Sequence, residues 1–155
     1  MTLSYVIATL HILTFGIGFY GIWSRANAFK KLKDVSGLKD VSGLNDVFKA
    51  DSFWGIAALL WIVTGLWRAF GGLEKGSDYY LHSNTFIAKM TLFVFVFIIE
   101  IKLMVTLIKW RNKKKKNEPI DFSSARQLAF LSHIELGLIT IIVCLATAMA
   151  RGIGY

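Results

Sequence analysis

Cysteine, proline and acidic residues are all scarce in this 155-residue sequence, and the shortages narrow the class of protein. The single cysteine, Cys144, cannot form an intramolecular disulfide and leaves no CxxC or zinc-type cluster. The single proline, Pro119, lies outside the long apolar runs of the chain. Neither a Gly-rich phosphate loop nor a Ser–His–Asp arrangement is recognisable, so the sequence offers no familiar nucleotide or hydrolase signature.

The sequence is instead rich in long runs of apolar residues. Four runs, at residues 3–23, 53–70, 86–108 and 128–150, each approach the ~20 residues that a helix needs to cross a bilayer. The chain is 55% hydrophobic, which is more than a small soluble domain can hide. The runs do not alternate as strands of a β-barrel would. We therefore predict an all-α, four-helix transmembrane bundle in a single domain, residues 1–155.

The placement of positive charge predicts the orientation of this bundle. Ten Asp and Glu face 18 Lys and Arg, which gives a net charge of +8. Thirteen of these cations lie between runs one and two or between runs three and four. This positive-inside pattern predicts both termini on the outer side and both basic loops in the cytoplasm, against anionic lipid headgroups. This distribution argues against nucleic acid as a partner, because the predicted membrane topology already explains where the cations lie.

The first basic loop contains a tandem repeat, LKDVSG at residues 32–37 and again at 38–43, followed by a degraded copy. Its Ser-Gly pairs and alternating charges are typical of turns. The units are too short to stack around a core of their own. We expect residues 32–46 to be a solvated insertion that is mobile and dispensable for chemistry.

Ionisable residues inside the apolar runs are the candidates for function, because a charge in lipid is expensive. A rise of ~1.5 Å per residue predicts two polar layers. The outer layer holds His11, Arg68 and Lys89, and the inner layer holds Glu100, His133 and Glu135.

Each layer admits a functional and a structural interpretation. A histidine with two cations suits haem b or a porphyrin, with His11 on the iron and Arg68 and Lys89 on the propionates. Alternatively, His11 bonds a neighbouring helix and the cations reach the headgroups. The inner layer is either a proton path or a pair that bridges two helices.

Helical spacing predicts which side of two runs faces the bundle. Run one carries a stripe of small and polar residues that includes His11, Gly18, Gly21 and Arg25. Run four carries a second stripe, and both are expected to face the other helices. The second stripe consists of His133, Gly137, Thr140, Cys144 and Thr147. Glu135 lies about 200° round from His133 and is expected to point away from that groove.

Several motifs resemble a bacterial family of four-span membrane proteins that is known only as domain of unknown function 2214. The resemblance rests on His11, on Arg68 closing run two, on Lys89 in an F-x-x-K motif, on WR at 110–111 and on MARG at 149–152. It covers nearly the whole chain and implies the fold and a multi-pass location in the bacterial inner membrane, but no activity. The LKDVSG repeats depart from it.

A more distant resemblance, carried by His11 and Lys89 alone, is to the haem-associated protoporphyrinogen oxidases of the HemJ type. It implies a haem- or porphyrin-binding membrane protein with an oxidoreductase-type role. The alternative is a non-catalytic accessory or assembly subunit, or a homo-oligomer, which Glu135 would serve as a lipid-facing group seeking a partner. A small transporter is the third reading.

Overall fold

The computed structural model describes residues 2–33, 41–72 and 77–154, and within these ranges the secondary structure is helical. Its helices are α1 (Thr2–Lys33), α2 (Val41–Phe70), α3 (Ser77–His82), α4 (Asn84–Lys115) and α5 (Ala125–Ala150). All but the short α3 are long and apolar enough to cross a membrane. These four helices confirm the helical, four-span fold; the predicted orientation of the termini stays a prediction.

The helices are longer than the apolar runs, and the extra turns lie at the end of the bundle that carries the basic segments, here called the basic end. α1 continues to Lys33 and α2 begins at Val41, so helix enters the segment 32–46 from both sides. Leu32, Leu44 and Val47 are buried there, in one core with residues of α4 and α5. This packing replaces the expected solvated loop at these positions; residues 34–40 of the repeat lie outside the described ranges.

α1 packs closely against α2 through the small residues of its predicted stripe. Gly18 and Gly21 are buried, and a Cβ atom on Gly21 would lie 3.1 Å from the backbone nitrogen of Trp54. Close backbone approach of this kind is how membrane helices associate when lipid supplies no hydrophobic drive. The prediction that this stripe faces the bundle is confirmed, since Thr14 and Arg25 are buried as well.

The corresponding prediction for α5 is wrong. Every member of its small and polar stripe is exposed, namely His133, Gly137, Thr140, Cys144 and Thr147. The opposite side of α5 is buried, with Ser132, Glu135, Ile139 and Ile142 facing the other helices. The small residues misled the interpretation because the threonine hydroxyls donate to carbonyls of their own helix and need no partner across an interface.

Backbone approaches are closest for the pairs α1–α2, α1–α5 and α4–α5. By contrast, α2 and α4 meet through large side chains. Examples are the ring pairs Trp61–Phe93 and Phe70–Phe86, whose centroids lie 6.3 and 6.4 Å apart. The seam between α2 and α4 is therefore the wider side of the bundle.

The end of the bundle away from the basic segments, here called the far end, is closed by the turn after α5. Ser83 caps α4 by accepting a hydrogen bond from the Phe86 backbone. Thr85 donates from its backbone to Gly154 and from its hydroxyl to Ile153. Gly154 has φ +83°, which favours glycine, and a Cβ there would lie 2.4 Å from Thr85.

Candidate functional site

A single arginine side chain links all four spanning helices. It lies at the level where the first predicted span ends and the second begins. Arg25 of α1 donates from Nη1 to Asp51 Oδ1 of α2 at 3.0 Å. Its Nη1 and Nη2 clasp both carboxylate oxygens of Glu100 of α4, at 3.0 and 2.9 Å. Nη2 also donates to Glu135 Oε2 of α5, at 2.7 Å. Both Nη nitrogens are thus engaged, and the pairing with Glu100 is bidentate, the strongest geometry for this pair.

A second arginine extends this group, which we call the Arg25 cluster, to the seam between α2 and α4. Arg111 of α4 donates from Nη2 to Asp51 Oδ2 at 2.9 Å. The same nitrogen contacts the Phe48 carbonyl and the Ser52 hydroxyl at 3.3 and 3.4 Å. Asp51 therefore bridges two guanidinium groups, one inside the bundle and one at its edge. The cluster consists of Arg25, Asp51, Glu100, Arg111 and Glu135.

The two ends of this cluster differ in burial. The side chains of Arg25 and Glu135 are fully buried, whereas Asp51 and Glu100 retain 16% and 23% of their side-chain exposure. Arg111 is the most open member, at 38%. The cluster thus runs from a closed interior beside α5 towards the surface at the basic end.

The charges of the cluster do not balance. Three carboxylates, of Asp51, Glu100 and Glu135, face two guanidinium groups. With every group ionised the cluster carries one net negative charge, and an uncompensated charge in a low-dielectric interior is costly. Among the described residues no group of three or more His, Cys, Asp or Glu could hold a metal ion.

Several buried polar atoms in and beside the cluster have no hydrogen-bond partner among the described residues. They are Nε of Arg25, Nε of Arg111, Oε1 of Glu135, Oγ of Ser132 and Nε1 of Trp54. Ser132 lies one turn before Glu135 on α5, and Trp54 lies one turn after Asp51 on α2. Buried polar groups are nearly always paired, so donors and acceptors left over at one level of a bundle indicate exchangeable protons or water.

Two of the three residues predicted for the inner layer belong to this cluster, and the third does not. Glu100 and Glu135 share Arg25. His133 is exposed, donates from Nδ1 to the Ala129 carbonyl at 2.6 Å, and has its Nε2 3.2 Å from the ammonium of Lys30. The expectation that Glu135 faces lipid is wrong, because the whole helix face is turned the other way. The argument for an accessory subunit that rested on it is lost.

The outer layer is anchored to α2. His11 Nδ1 lies 2.8 Å from Thr64 Oγ1, and its ring stacks on Trp61 with centroids 5.6 Å apart. The Thr64 hydroxyl donates to the Leu60 carbonyl at 2.7 Å, so its oxygen is left to accept from His11. With the Thr64 hydrogen on Leu60, a neutral imidazole would carry its hydrogen on Nδ1 and its lone pair on Nε2.

Arg68 and Lys89 lie nearer the far end. Arg68 is half-buried, one turn beyond Thr64 on α2. Lys89 places its ammonium 4.8 Å from the centre of the Phe86 ring on its own helix. The contacts described for the three outer residues run to Thr64, Trp61 and Phe86, and the convergence of the three on one ligand stays a prediction.

The sequence interpretation missed Arg25 and Asp51 as site residues. Arg25 was assigned to the topology signal, although its place on the small and polar stripe of α1 indicates the interior. Asp51 and Ser52 directly precede the second apolar run, where an N-cap would be expected, but both lie inside α2, where Ser52 donates to the Phe48 carbonyl. The signal for the longer helix was the spacing of Leu44, Val47 and Trp54, which continues the buried face of α2 backwards.

Comparison with known sequences agrees with this architecture. No curated protein and no solved structure matches the chain. Residues 3–154 match the family described as "Predicted membrane protein (DUF2214)", a match that spans all four long helices. The chain is thus a multi-pass membrane protein and belongs to the predicted membrane protein family DUF2214.

Proposed function

We propose that the protein binds a proton reversibly at the Arg25 cluster and that it acts as a proton-responsive membrane protein. The observation that carries the proposal is the pairing of three carboxylates with two guanidinium groups inside the bundle. One proton makes the cluster neutral. Ionisable groups inside membrane proteins commonly belong to proton relays or binding sites, which is the class of function that this arrangement favours.

Glu135 is the carboxylate that gains most from the proton. Glu100 shares both oxygens with Arg25, and Asp51 receives a guanidinium on each oxygen. Glu135 has one guanidinium contact, at Oε2, while Oε1 is buried without a partner among the described residues. Its charge is the least compensated and its side chain is fully enclosed, so we assign the proton to Glu135.

Exchange with the surrounding solution would take place at the basic end. Asp51, Glu100 and Arg111 are partly exposed, and they separate the enclosed Glu135 from the surface. Glu100 and Glu135 accept from the same Arg25 nitrogen, so their carboxylate oxygens are close enough for a proton to pass between them directly or through one bridging water. In the opposite direction the apolar core around Ile22, Trp61, Val96 and Ile139 separates the cluster from the far end. The proposal is therefore one-sided binding, not conduction.

Infrared difference spectroscopy of the purified protein in lipid tests this proposal. A protonated carboxylic acid gives a C=O stretching band that an ionised carboxylate lacks. We expect such a band in the wild type, with a shift on exchange into heavy water and a loss at high pH. Glu135→Gln should remove it while the protein stays folded. A folded wild type that shows no carboxylic-acid band at neutral pH, where exposed carboxylates are ionised, would overturn the proposal.

Two matched variants locate the proton. Glu100→Gln removes a carboxylate from the same cluster but leaves Glu135, so the band should persist with a changed frequency. Glu118→Gln changes an exposed carboxylate outside the cluster and should leave the spectrum unaltered. If the band disappears in Glu100→Gln and survives in Glu135→Gln, the assignment to Glu135 is incorrect.

A second proposal places haem b or a porphyrin at His11, with an oxidoreductase-type role. The observation in its favour is the Thr64 contact, which sets the Nε2 lone pair of His11 as in histidines that ligate iron. Arg68 and Lys89 would then pair with the propionates. Haem would supply the redox chemistry, and the chain would supply the ligand and the counter-charges.

The absorption spectrum tests this second proposal directly. Protein purified in mild detergent, and again after addition of haem, should show a Soret band that His11→Ala abolishes. His133→Ala is the matched control, because this exposed histidine lies near the basic end of α5. A wild type without the band after haem addition, or an equal band in His11→Ala, would contradict haem ligation by His11.

A further inference from the structure

An amphipathic groove lies on the outer surface of the seam between α2 and α4, at the basic end of the bundle. It has a volume of about 470 Å³ and is lined by Asn45, Phe48, Lys49, Ser52, Phe53, Ile56 and Arg111. All of these except Arg111 belong to α2. The groove exists because α2 and α4 meet here through side chains, so that the space between their backbones stays open at the surface.

The polar part of this groove is cationic. Lys49 and Arg111 line it, and the ammonium of Lys114 lies 5.8 Å from the centre of the Phe48 ring and contacts the Asn45 side chain. Arg111 stacks on the same ring, 5.0 Å from its centre. Two cations thus lie over one wall residue, Phe48, and Lys49 adds a third positive charge to the lining; none of the described lining residues is acidic. Arg111 also has a buried Nε without a partner among the described residues.

The remainder of the groove is apolar and lies towards the middle of the membrane. Phe53 and Ile56 follow Lys49 by one and two turns along α2 and are exposed on its outer face. The change from cationic to apolar lining falls where the second predicted span begins, at residue 53. The polarity of the groove therefore follows that of a membrane leaflet, with charge at the headgroup level and hydrocarbon below it.

We infer that this groove binds an anionic phospholipid from the leaflet at the basic end. The phosphate would contact Lys49, Lys114 and Arg111, and one acyl chain would lie along Phe53 and Ile56. Charge complementarity selects an anionic headgroup over a zwitterionic one, and the apolar continuation selects a lipid over a free phosphate. The site shares Arg111 with the Arg25 cluster but needs neither Glu100 nor Glu135.

Lipid-dependent thermal stability of the purified protein tests the inference. Protein in mild detergent is titrated with phosphatidylglycerol, with phosphatidylcholine or with inorganic phosphate. We expect saturable stabilisation by phosphatidylglycerol alone. The double variant Lys49→Gln/Lys114→Gln should weaken its apparent affinity on the order of 30-fold, because each basic residue near an anionic surface contributes about 1 kcal/mol.

The matched control is the double variant Lys109→Gln/Lys115→Gln, which removes the same charge from exposed positions of α4 outside the groove. It should retain the affinity of the wild type. An equal loss in both double variants would reduce the effect to overall charge and overturn the inference. Stabilisation by inorganic phosphate as strong as that by phosphatidylglycerol would do the same, because it would remove the acyl chain from the site.

A third variant tests the apolar half of the groove separately. Ile56→Trp places a large side chain on the exposed wall and should weaken the effect of phosphatidylglycerol without changing the net charge. Both double variants and Ile56→Trp change exposed residues or, at Lys114, a half-buried one, and their circular dichroism checks that the helices are intact. An Ile56→Trp protein that responds to phosphatidylglycerol as the wild type does would contradict binding of the chain along α2.

Discussion

The Arg25 cluster and the His11–Thr64 contact both keep a polar side chain inside an apolar bundle, but they do so by different means. At the basic end, Arg25 is fully buried and its charge is shared among carboxylates from three other helices. Nearer the far end, His11 is half-buried, can be neutral, and is held by a hydroxyl of one neighbouring helix. The Arg25 cluster links all four long helices, and the His11–Thr64 contact links α1 to α2.

This difference shows what each group can contribute to function. A neutral imidazole hydrogen-bonded to Thr64 can stay in place at modest cost, because both partners are uncharged. A buried guanidinium requires counter-charges, and one carboxylate in excess of the guanidinium groups would be neutralised by a proton. Under the proposed function the Arg25 cluster responds to pH through its composition, whereas the His11 contact joins two neutral groups.

Arg25→Leu should give the largest effect, because it leaves Glu135 and its neighbouring carboxylates buried without their shared cation. Removing one partner of a buried ion pair costs about 3–5 kcal/mol, so we expect a large loss of stability or a failure to fold. Thermal unfolding in mild detergent measures it. Lys31→Leu, which removes an exposed cation six residues further along α1, should be close to neutral.

Arg25→Lys separates charge from geometry in the same cluster. An ammonium keeps the charge but cannot clasp both oxygens of Glu100 while it reaches Asp51 and Glu135. We expect a stability between those of the wild type and Arg25→Leu. If Arg25→Leu unfolds at the same temperature as Lys31→Leu, the cluster does not hold the bundle together and the comparison with His11 fails.

Thr64→Val should have a smaller effect, since it removes one neutral hydrogen bond between α1 and α2. Hydrogen bonds between membrane helices average about 0.6 kcal/mol, so we expect a loss of that order in detergent unfolding. Thr140→Val is the control, because that hydroxyl is exposed and donates to its own helix. Equal effects from the two substitutions would show that His11 gains nothing from Thr64.

His133→Ala should change stability least among the histidine and arginine variants. Its ring is exposed and contacts Lys30 and its own helix backbone, so the loss is expected to stay within about 0.5 kcal/mol, as for surface substitutions in general. A loss as large as that of Arg25→Leu would indicate that His133 is covered by a partner and belongs to the inner layer after all.

The sequence was sufficient for the fold because length and composition determine it. The apolar runs predicted four spanning helices, and the Gly18–Gly21 stripe predicted the interior face of α1. Each of these follows from local spacing. Glu100 and Glu135 were predicted site residues for the same kind of reason, since a carboxylate inside an apolar run is conspicuous on its own.

The cluster as a whole could not be predicted, because its partners lie outside the apolar runs. Arg25 follows the first apolar run and Asp51 precedes the second. Their positions in the sequence therefore suggest a topology signal and a helix cap. Their pairing depends on the extra helical turns at the basic end, which are held by contacts of Leu32, Leu44 and Leu107 between distant segments. Which face of α5 is buried could not be predicted either, because two opposite faces of that helix both carry polar residues.

An exposed carboxylate supplies the other limit of the comparison and the smallest expected effect. Asp121, on the segment before α5, accepts from the Ser123 backbone and hydroxyl, both at 2.8 Å. These hydrogen bonds hold the pKa of this carboxyl below its ordinary value. Its contribution to stability is therefore present above the unfolded-state pKa and disappears as pH falls through the folded-state value.

Asp121→Asn should be slightly less stable than the wild type at neutral pH, with the difference vanishing in acid. Thermal unfolding across that range measures it, and Glu118→Gln is the control on the same segment. A difference between wild type and Asp121→Asn that grows towards acid pH would contradict this sign.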